Sequence, residues 1–122
     1  MTLLTNPKII TVLKEGQHKG TITAVQKTDR SGYEYIEFTI DIPESQYTLK
    51  HSISFNVSCD SSGNPKSQLA IFLKAIGFDP TAPVDIESSV GKKITFMSKN
   101  KLVGDASYPR IINETVMQDT GM

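Results

Sequence analysis

The stretch Y-E-Y-I-E-F-T-I-D-I, residues 33–42, alternates between polar and apolar side chains. Because successive side chains of a β-strand point to opposite faces, its apolar residues fall on one face and its polar residues on the other. The apolar set is Ile36, Phe38, Ile40 and Ile42. Burying one such side chain is worth about 1.5–3 kcal/mol, and a one-residue shift of register would expose all of them. The stretch therefore predicts a strand with a core face and an exposed face, which carries Tyr33 and Tyr35.

Strands are also predicted on both sides of this one. Residues 17–27 form a first strand, in which Gly20 and Ile22 share a phase and Val25 is one residue out of it, as a bulge would produce. Residues 28–32 have the composition of a turn. After a loop over residues 44–47, a third strand has on its inner face Leu49, His51, Ile53, Phe55 and Val57.

A helix and two more strands follow. Asn64 and Pro65 are a typical N-cap and first-turn pair, and Gly77 is a typical C-cap. The apolar residues between them recur at helical spacing: Leu69, Phe72, Leu73 and Ile76. Residues 78–89 form a linker to a fourth strand that ends near residue 98, and residues 100–107 form a polar loop. The last strand, over residues 109–117, has apolar side chains in both phases, which indicates a bulge.

This order of elements predicts a mostly β, five-stranded OB-fold Greek-key barrel with one helix between strands 3 and 4. Strand spacing alone also allows another small barrel. The 122 residues fit a single domain, with residues 1–15 as an N-terminal extension and residues 118–122 as a short flexible tail. Two alternatives stay open for residues 6–14: a short helix capped by Asn6, or an extended segment, which its β-branched residues favour.

Composition argues against several classes of protein. No apolar run approaches the roughly 20 residues of a membrane span, and no basic residue precedes the apolar start, so we expect a cytoplasmic protein with no membrane contact. His18 and His51 have no second ligand at metal-binding spacing, so we expect neither a metal nor another cofactor. Because no pattern orients a catalytic group, we do not expect an enzyme.

Charge is balanced over the whole chain but not locally. The formal net charge is 0, so a nucleic-acid partner must be argued from clusters of basic residues. Between residues 91 and 110 the only acidic residue is Asp105. The basic residues there are Lys92, Lys93, Lys99, Lys101 and Arg110. This part of the chain therefore has a local positive excess.

The exposed tyrosines and these basic residues converge on the OB map. In such barrels strands 2 and 3 form the ligand face, and the loops between strands 1 and 2 and strands 4 and 5 fold over it. The residues predicted there are Tyr33, Tyr35 and Lys50 on the face, Lys27 and Arg30 in the first loop, and Lys99, Lys101, Tyr108 and Arg110 around the second. Single-stranded nucleic acid is held by aromatic stacking and by cations along its backbone, so this set predicts such a ligand. The alternative is that the two strand tyrosines serve cross-strand packing or a subunit contact.

Four segments share a pattern of small and apolar positions with a known family: G-x-I-T-A-V at 20–25, Y-x-x-F-x-I at 35–40, L-x-x-F-L-K-A-I-G at 69–77 and V-G-K-K-I at 90–94. In them the sequence resembles small OB-fold single-stranded DNA-binding proteins, particularly those of bacteriophages. It departs from bacterial relatives in having no tryptophan and no acidic tail ending in Pro-Phe.

The resemblance implies sequence-nonspecific binding of single-stranded DNA, without catalysis, during phage DNA replication and recombination in the host cytoplasm. It also implies a homodimer or larger homo-oligomer, and contact with a recombinase or replication protein. The competing hypothesis is an OB-fold protein–protein interaction module or structural phage component that uses the same face as a subunit interface.

Overall fold

The computed structural model describes residues 13–104 and 106–119, which form an antiparallel sheet with a helix packed against it. The strands are β1 Gly16–Arg30, β2 Tyr33–Ile42, β3 Tyr47–Ser54, β4 Lys93–Val103, β5 Ala106–Ile111 and β6 Met117–Gln118, and the helix is α1 Gln68–Ala75. Short 3-10 turns lie at Pro43–Ser45, Ile86–Ser89 and Asn113–Thr115. The predicted mostly β structure and the helix between strands 3 and 4 are confirmed, and β6 is a strand that the sequence did not predict.

The strands follow the spatial order β3-β2-β1-β4-β5, with β6 paired to β4. β1 is long enough to change partners: residues 21–30 pair with β2 and residues 16–21 pair with β4. The register of β1 against β2 shifts between Ile22 and Ala24, which confirms the bulge predicted from the phase change along this strand. The two ends of the path, β3 and β5, lie against each other, although no ladder joins them in the described chain.

β2 has the bounds and the two faces that its alternation predicts. Its four apolar side chains are buried, and the ring of Phe38 lies 4.5 Å from that of Phe72 in α1, centroid to centroid. The helix also contacts β3 and the 3-10 turn that follows β5. The buried core is completed by Leu13, Ile22, Leu49, Ile53, Leu69, Leu73, Ile76, Ile94, Phe96, Ile111 and Val116.

The helix begins later than predicted. Its N-cap is Ser67, whose Oγ accepts a hydrogen bond from the Ala70 N–H at 3.2 Å, whereas the backbone and side-chain amides of Asn64 donate to the Asp60 carboxylate. The prediction of Asn64 and Pro65 as the helix start was therefore wrong. The predicted end is confirmed, because Gly77 has a φ of +102° and its N–H donates to the Lys74 carbonyl.

The strand ends differ from the prediction in three places. β1 continues to Arg30 and is joined to β2 by Ser31 and Gly32, both at positive φ, so the turn predicted over 28–32 is mostly strand. β4 and β5 likewise extend into the loop predicted over residues 100–107. β3 stops at Ser54, and Phe55 and Val57, which were predicted to face inward, are exposed.

The last predicted strand is divided. The 3-10 turn Asn113–Thr115 separates β5 from β6, which run in the same direction because both pair antiparallel with β4. Ile111 before the turn and Val116 after it are both buried in the core. Apolar residues in both phases therefore reflected a turn between two strands and not a bulge.

The chain termini lie partly outside the described residues, as do most of residues 6–14. Leu13 is buried in the core, and the Lys14 carbonyl accepts a hydrogen bond from Ser98 Oγ at 3.0 Å, so residues 13 and 14 are packed on the sheet. At the other end the Asp119 N–H donates to the Lys93 carbonyl at 2.8 Å. In the described part of the chain, no helix has the length and apolar character needed to cross a membrane.

Replacing Gly20 with alanine should destabilise the fold. A Cβ at this position would lie 2.5 Å from Ile40 Cγ2 and 3.2 Å from the Asp41 carbonyl oxygen, so β1 and β2 would have to move apart. We expect a loss of about 1–3 kcal/mol in the free energy of unfolding, measured by urea denaturation. Lys19→Ala, an exposed change on the same strand, is the control, and a G20A variant as stable as K19A would contradict this account of the packing.

Candidate nucleic-acid interface

The registers of the ladders decide which predicted residues share the outer face of the sheet. Directly paired residues of antiparallel strands point to the same side, and Arg30 pairs with Tyr33 while Lys50 pairs with Thr39. Tyr33, Tyr35 and Lys50 therefore lie on one face, as predicted. Arg30, which was predicted in the first loop, lies on the same face because β1 continues to this residue. Because β1 continues as a strand, Lys27 pairs with Ile36 and lies on the opposite side.

Lys27 is engaged on that opposite side. Its ammonium group forms an ion pair with Glu34 and lies 4.7 Å from the centroid of the Phe55 ring, and the Glu34 carboxylate raises the pKa of Lys27. The sequence placed Lys27 in a loop beside the ligand face, and the structure does not bring it there.

A groove of about 410 Å³ is lined mainly by residues of β3 and β5; we call it the central groove. Its lining is Arg30, Glu37, Tyr47, Lys50, His51, Ser52, Tyr108, Pro109, Arg110 and Ile111. Four of the predicted residues, Arg30, Lys50, Tyr108 and Arg110, thus line one groove although they come from three strands, β1, β3 and β5.

A second groove, of about 470 Å³, lies along the hairpin of β4 and β5; we call it the hairpin groove. It is lined by Lys99, Asn100, Lys101, Leu102, Arg110 and Ile112. Lys99 pairs with Arg110 and Lys101 with Tyr108, so these side chains share one face of the hairpin. Arg110 lines both grooves, so the two lie on either side of one side chain.

The two strand tyrosines flank the central groove but do not line it. Tyr33 is 68% exposed beside the β1–β2 turn, and Tyr35 is half-buried, with the Arg30 guanidinium 5.8 Å from its ring centroid. The aromatic residues that line the groove are Tyr47 and Tyr108. The sequence reasoning missed Tyr47 by assigning it to a loop, although it is in phase with Leu49 and His51.

Glu37 lies at the floor of the central groove and is only 8% exposed, although it belongs to the outer face. Its Oε2 is 3.3 Å from Arg30 Nη2 and 3.4 Å from Ser52 Oγ, and its Oε1 is 3.7 Å from Lys50 Nζ. The alternation of residues 33–42 predicts Glu37 on an exposed face, and its burial there was not predicted. The register that places it between β1 and β3 could not be read from the sequence of β2 alone.

Charge is distributed unevenly between the grooves. In the central groove one carboxylate is shared by two of the three basic side chains, Arg30 and Lys50. Among residues 13–104 and 106–119, no ion pair is formed by Lys99, Lys101 or Arg110. Among the basic side chains that line the two grooves, those without an ion pair in the described chain therefore lie on the β4–β5 hairpin.

His51 lines the central groove and contacts Asn113 in the 3-10 turn after β5. His51 Nε2 is 2.9 Å from Asn113 Oδ1, while Asn113 Nδ2 donates to both the carbonyl and the side-chain oxygen of Gln68. Since the amide nitrogen of Asn113 is the donor to Gln68, its oxygen must accept, and His51 carries its proton on Nε2. This network links β3, α1 and the turn after β5 where no ladder does.

Among the described residues, no group of three or more His, Cys, Asp or Glu side chains is arranged to hold a metal ion. Neither the protein-family models nor the curated proteins include a match to this chain.

Stability should fall as the pH drops below about 6.5. Burial lowers the pKa of His51 from its ordinary 6.5, the hydrogen bond to Asn113 opposes this shift, and the charge of Arg110 adds to it. The unfolded chain therefore binds a proton at a higher pH than the folded protein, and stability that is present above pH 6.5 is lost on acidification.

The measurement is urea denaturation from about pH 7.5 to about pH 5.5, above the range in which Asp and Glu titrate. His51→Gln should flatten the pH dependence of the free energy of unfolding relative to the wild type. His18→Gln, which alters the other histidine, should retain a steeper pH dependence than H51Q. An equal slope in the wild type and H51Q would refute this assignment.

Proposed function

We propose that the chain is a non-catalytic, sequence-nonspecific single-stranded DNA-binding protein with an OB barrel. The observation that carries the proposal is the presence of two neighbouring grooves lined by basic side chains, with Arg110 in the lining of both. Basic side chains in neighbouring grooves, with exposed aromatic rings beside them, are what a flexible polyanion with stackable bases requires.

The OB assignment is supported by connectivity. The strand order β3-β2-β1-β4-β5, the helix between β3 and β4 and the bulge within β1 fit a five-stranded Greek-key barrel, in which β6 is an addition. The contact between β3 and β5 is where such a barrel would close. In that fold the outer face of β2 and β3 is the ligand face, and three of its residues, Glu37, Lys50 and Ser52, line the central groove.

The binding mode follows from the positions of the side chains. Arg110, Lys99 and Lys101 contact phosphates first, because no described carboxylate occupies them, and Arg30 and Lys50 contribute in the central groove. Tyr108 and Tyr33 offer exposed rings for stacking, and Tyr35 stands behind Arg30. The resemblance to phage proteins extends the proposal to DNA replication and recombination in the host cytoplasm, as a homodimer or larger assembly with a recombinase or replication partner.

Fluorescence anisotropy with a labelled oligothymidine should show binding that weakens with salt. With about three to five phosphate contacts, the logarithm of the association constant should fall against that of salt with a slope of about −2 to −3.5. A duplex of equal length should bind more weakly, because its bases cannot stack on the tyrosines. No binding at low salt, or equal binding to duplex, would refute the proposal.

Two charge-matched variants locate the surface in the same assay. Arg110→Gln removes a cation that lines both grooves, and Lys27→Gln removes one from the opposite side of the sheet. We expect R110Q to weaken binding severalfold and to reduce the slope by about 0.7, and K27Q to change neither.

A second candidate function is an OB-fold protein–protein interaction module or structural phage component that uses this face as a subunit interface. It is favoured by the exposed apolar side chains of the same region, where Leu102 is 75% exposed and Tyr108 is also exposed. The pairing of Arg30 and Lys50 with Glu37 also fits a surface that meets another protein.

Substituting Tyr33 and Tyr35 together by alanine separates the two functions. If the rings stack on bases, affinity for oligothymidine should fall by at least about fivefold, with the oligomeric state unchanged in light scattering. Phe55→Ala, which removes an exposed ring from the opposite side, is the control. Loss of assembly with intact DNA binding would favour the interface function.

A further inference from the structure

Glu37 stands where a ligand phosphate would be held. Its two carboxylate oxygens approach the guanidinium of Arg30 and the ammonium of Lys50, and the Ser52 hydroxyl points to the same carboxylate. Cations and a hydroxyl group are also the donors that bind phosphate oxygens. The carboxylate is therefore an internal anion that occupies the binding position of an external one.

The geometry of these contacts allows exchange. The distances of 3.3 Å to Arg30 and 3.7 Å to Lys50 are longer than the roughly 2.7–2.9 Å of strong charge-assisted hydrogen bonds. The side chains of Arg30 and Lys50 are 59% and 62% exposed, whereas that of Glu37 is 10% exposed. The cations are thus free to turn towards solvent, while the carboxylate stays at the floor of the groove.

We propose that Glu37 is a built-in competitor of the DNA backbone: Arg30 and Lys50 exchange its carboxylate for phosphates when a strand enters the central groove. This inference rests on the proposed function and concerns how that site is regulated. Glu37 lowers the affinity of the groove for single-stranded DNA and reduces the number of phosphates that Arg30 and Lys50 effectively neutralise. A bound strand is therefore more easily displaced.

Position 37 does not need a carboxylate for the fold. Its neighbours on the outer face of β2, Tyr35 and Thr39, are uncharged, and across the ladders it faces Ser52 and Gln26, whose side chains can hydrogen-bond to a neutral amide. The charge of Glu37 therefore matters chiefly to the basic residues of the groove.

Glu37→Gln tests the inference, with Glu34→Gln as a matched control. Both variants raise the net charge by one on the same strand, but Glu34 pairs with Lys27 on the opposite side of the sheet. Oligothymidine anisotropy is measured for the wild type and both variants over a salt series. Circular dichroism checks folding. Glu37→Met is the second neutral variant if E37Q does not fold, since apolar residues of similar volume often replace a buried ion-paired group without loss of stability.

We expect E37Q to bind about three- to tenfold more tightly at low salt, because the ion pairs of two exposed cations with Glu37, each worth a factor of up to about five, no longer have to be broken. The salt slope should steepen by about 0.7, one further phosphate contact. E34Q should remain within about twofold of the wild type.

Other results separate the inference from the proposed function. If the wild type binds but E37Q binds equally or more weakly, Glu37 orients the cations and the inference is wrong, while the proposed function stands. If E34Q gains as much as E37Q, the effect is one of net charge and the inference is again wrong. If neither the wild type nor E37Q binds oligothymidine, both the proposed function and the inference are wrong.

Discussion

The burial of one face of β2 is the constraint on which the rest of the structure depends. Ile36, Phe38 and Ile40 are fully buried, and the Phe38 ring against Phe72 fixes the helix to the sheet. Because the side chains alternate strictly, this burial also commits Glu37 to the outer face. The ladders to β1 and β3 then bring Arg30 and Lys50 to it. The electrostatics of the groove are therefore a consequence of core packing.

Features encoded by local periodicity were predictable from the sequence. The bounds and faces of β2, the bulge after Ile22, the buried stripe of α1 and the Gly77 cap all depend on residues within a few positions of one another. The ends of the hairpins were not predictable in this way. The ends of β1 and β4 extend beyond the core, and their residues are polar, as Thr28 and Lys101 are. Their composition is that of a loop. Their strand structure comes from ladders with β2 and β5, which leave no apolar pattern in the sequence.

The same distinction between local pattern and strand pairing applies to the residues of the candidate site. The sequence identified Lys50, Tyr108 and Arg110 by residue type, and the fold brought them together. It could not identify the shared role of Glu37, because the carboxylate is enclosed by residues from β1 and β3 whose register is a tertiary property. It also placed Lys27 on the wrong side, since a loop residue has no fixed face whereas a strand residue does. Tyr47 was missed because it is the first residue of β3 and was assigned to the preceding loop.

The two grooves differ in how firmly the backbone holds them. Glu37 and Lys50 lie on β2 and β3, which are paired along their lengths and backed by the core. Beyond Ser98, β4 has left β1 and pairs with β5 alone, and a two-stranded ribbon is marginal without further packing. The paired charges of Glu37 and Lys50 thus lie on strands that the core supports. Lys99 and Lys101, which form no ion pair within the described chain, lie on the less supported hairpin. A ligand that spans both grooves must fix the hairpin against the sheet, and part of its binding free energy is consumed in that ordering.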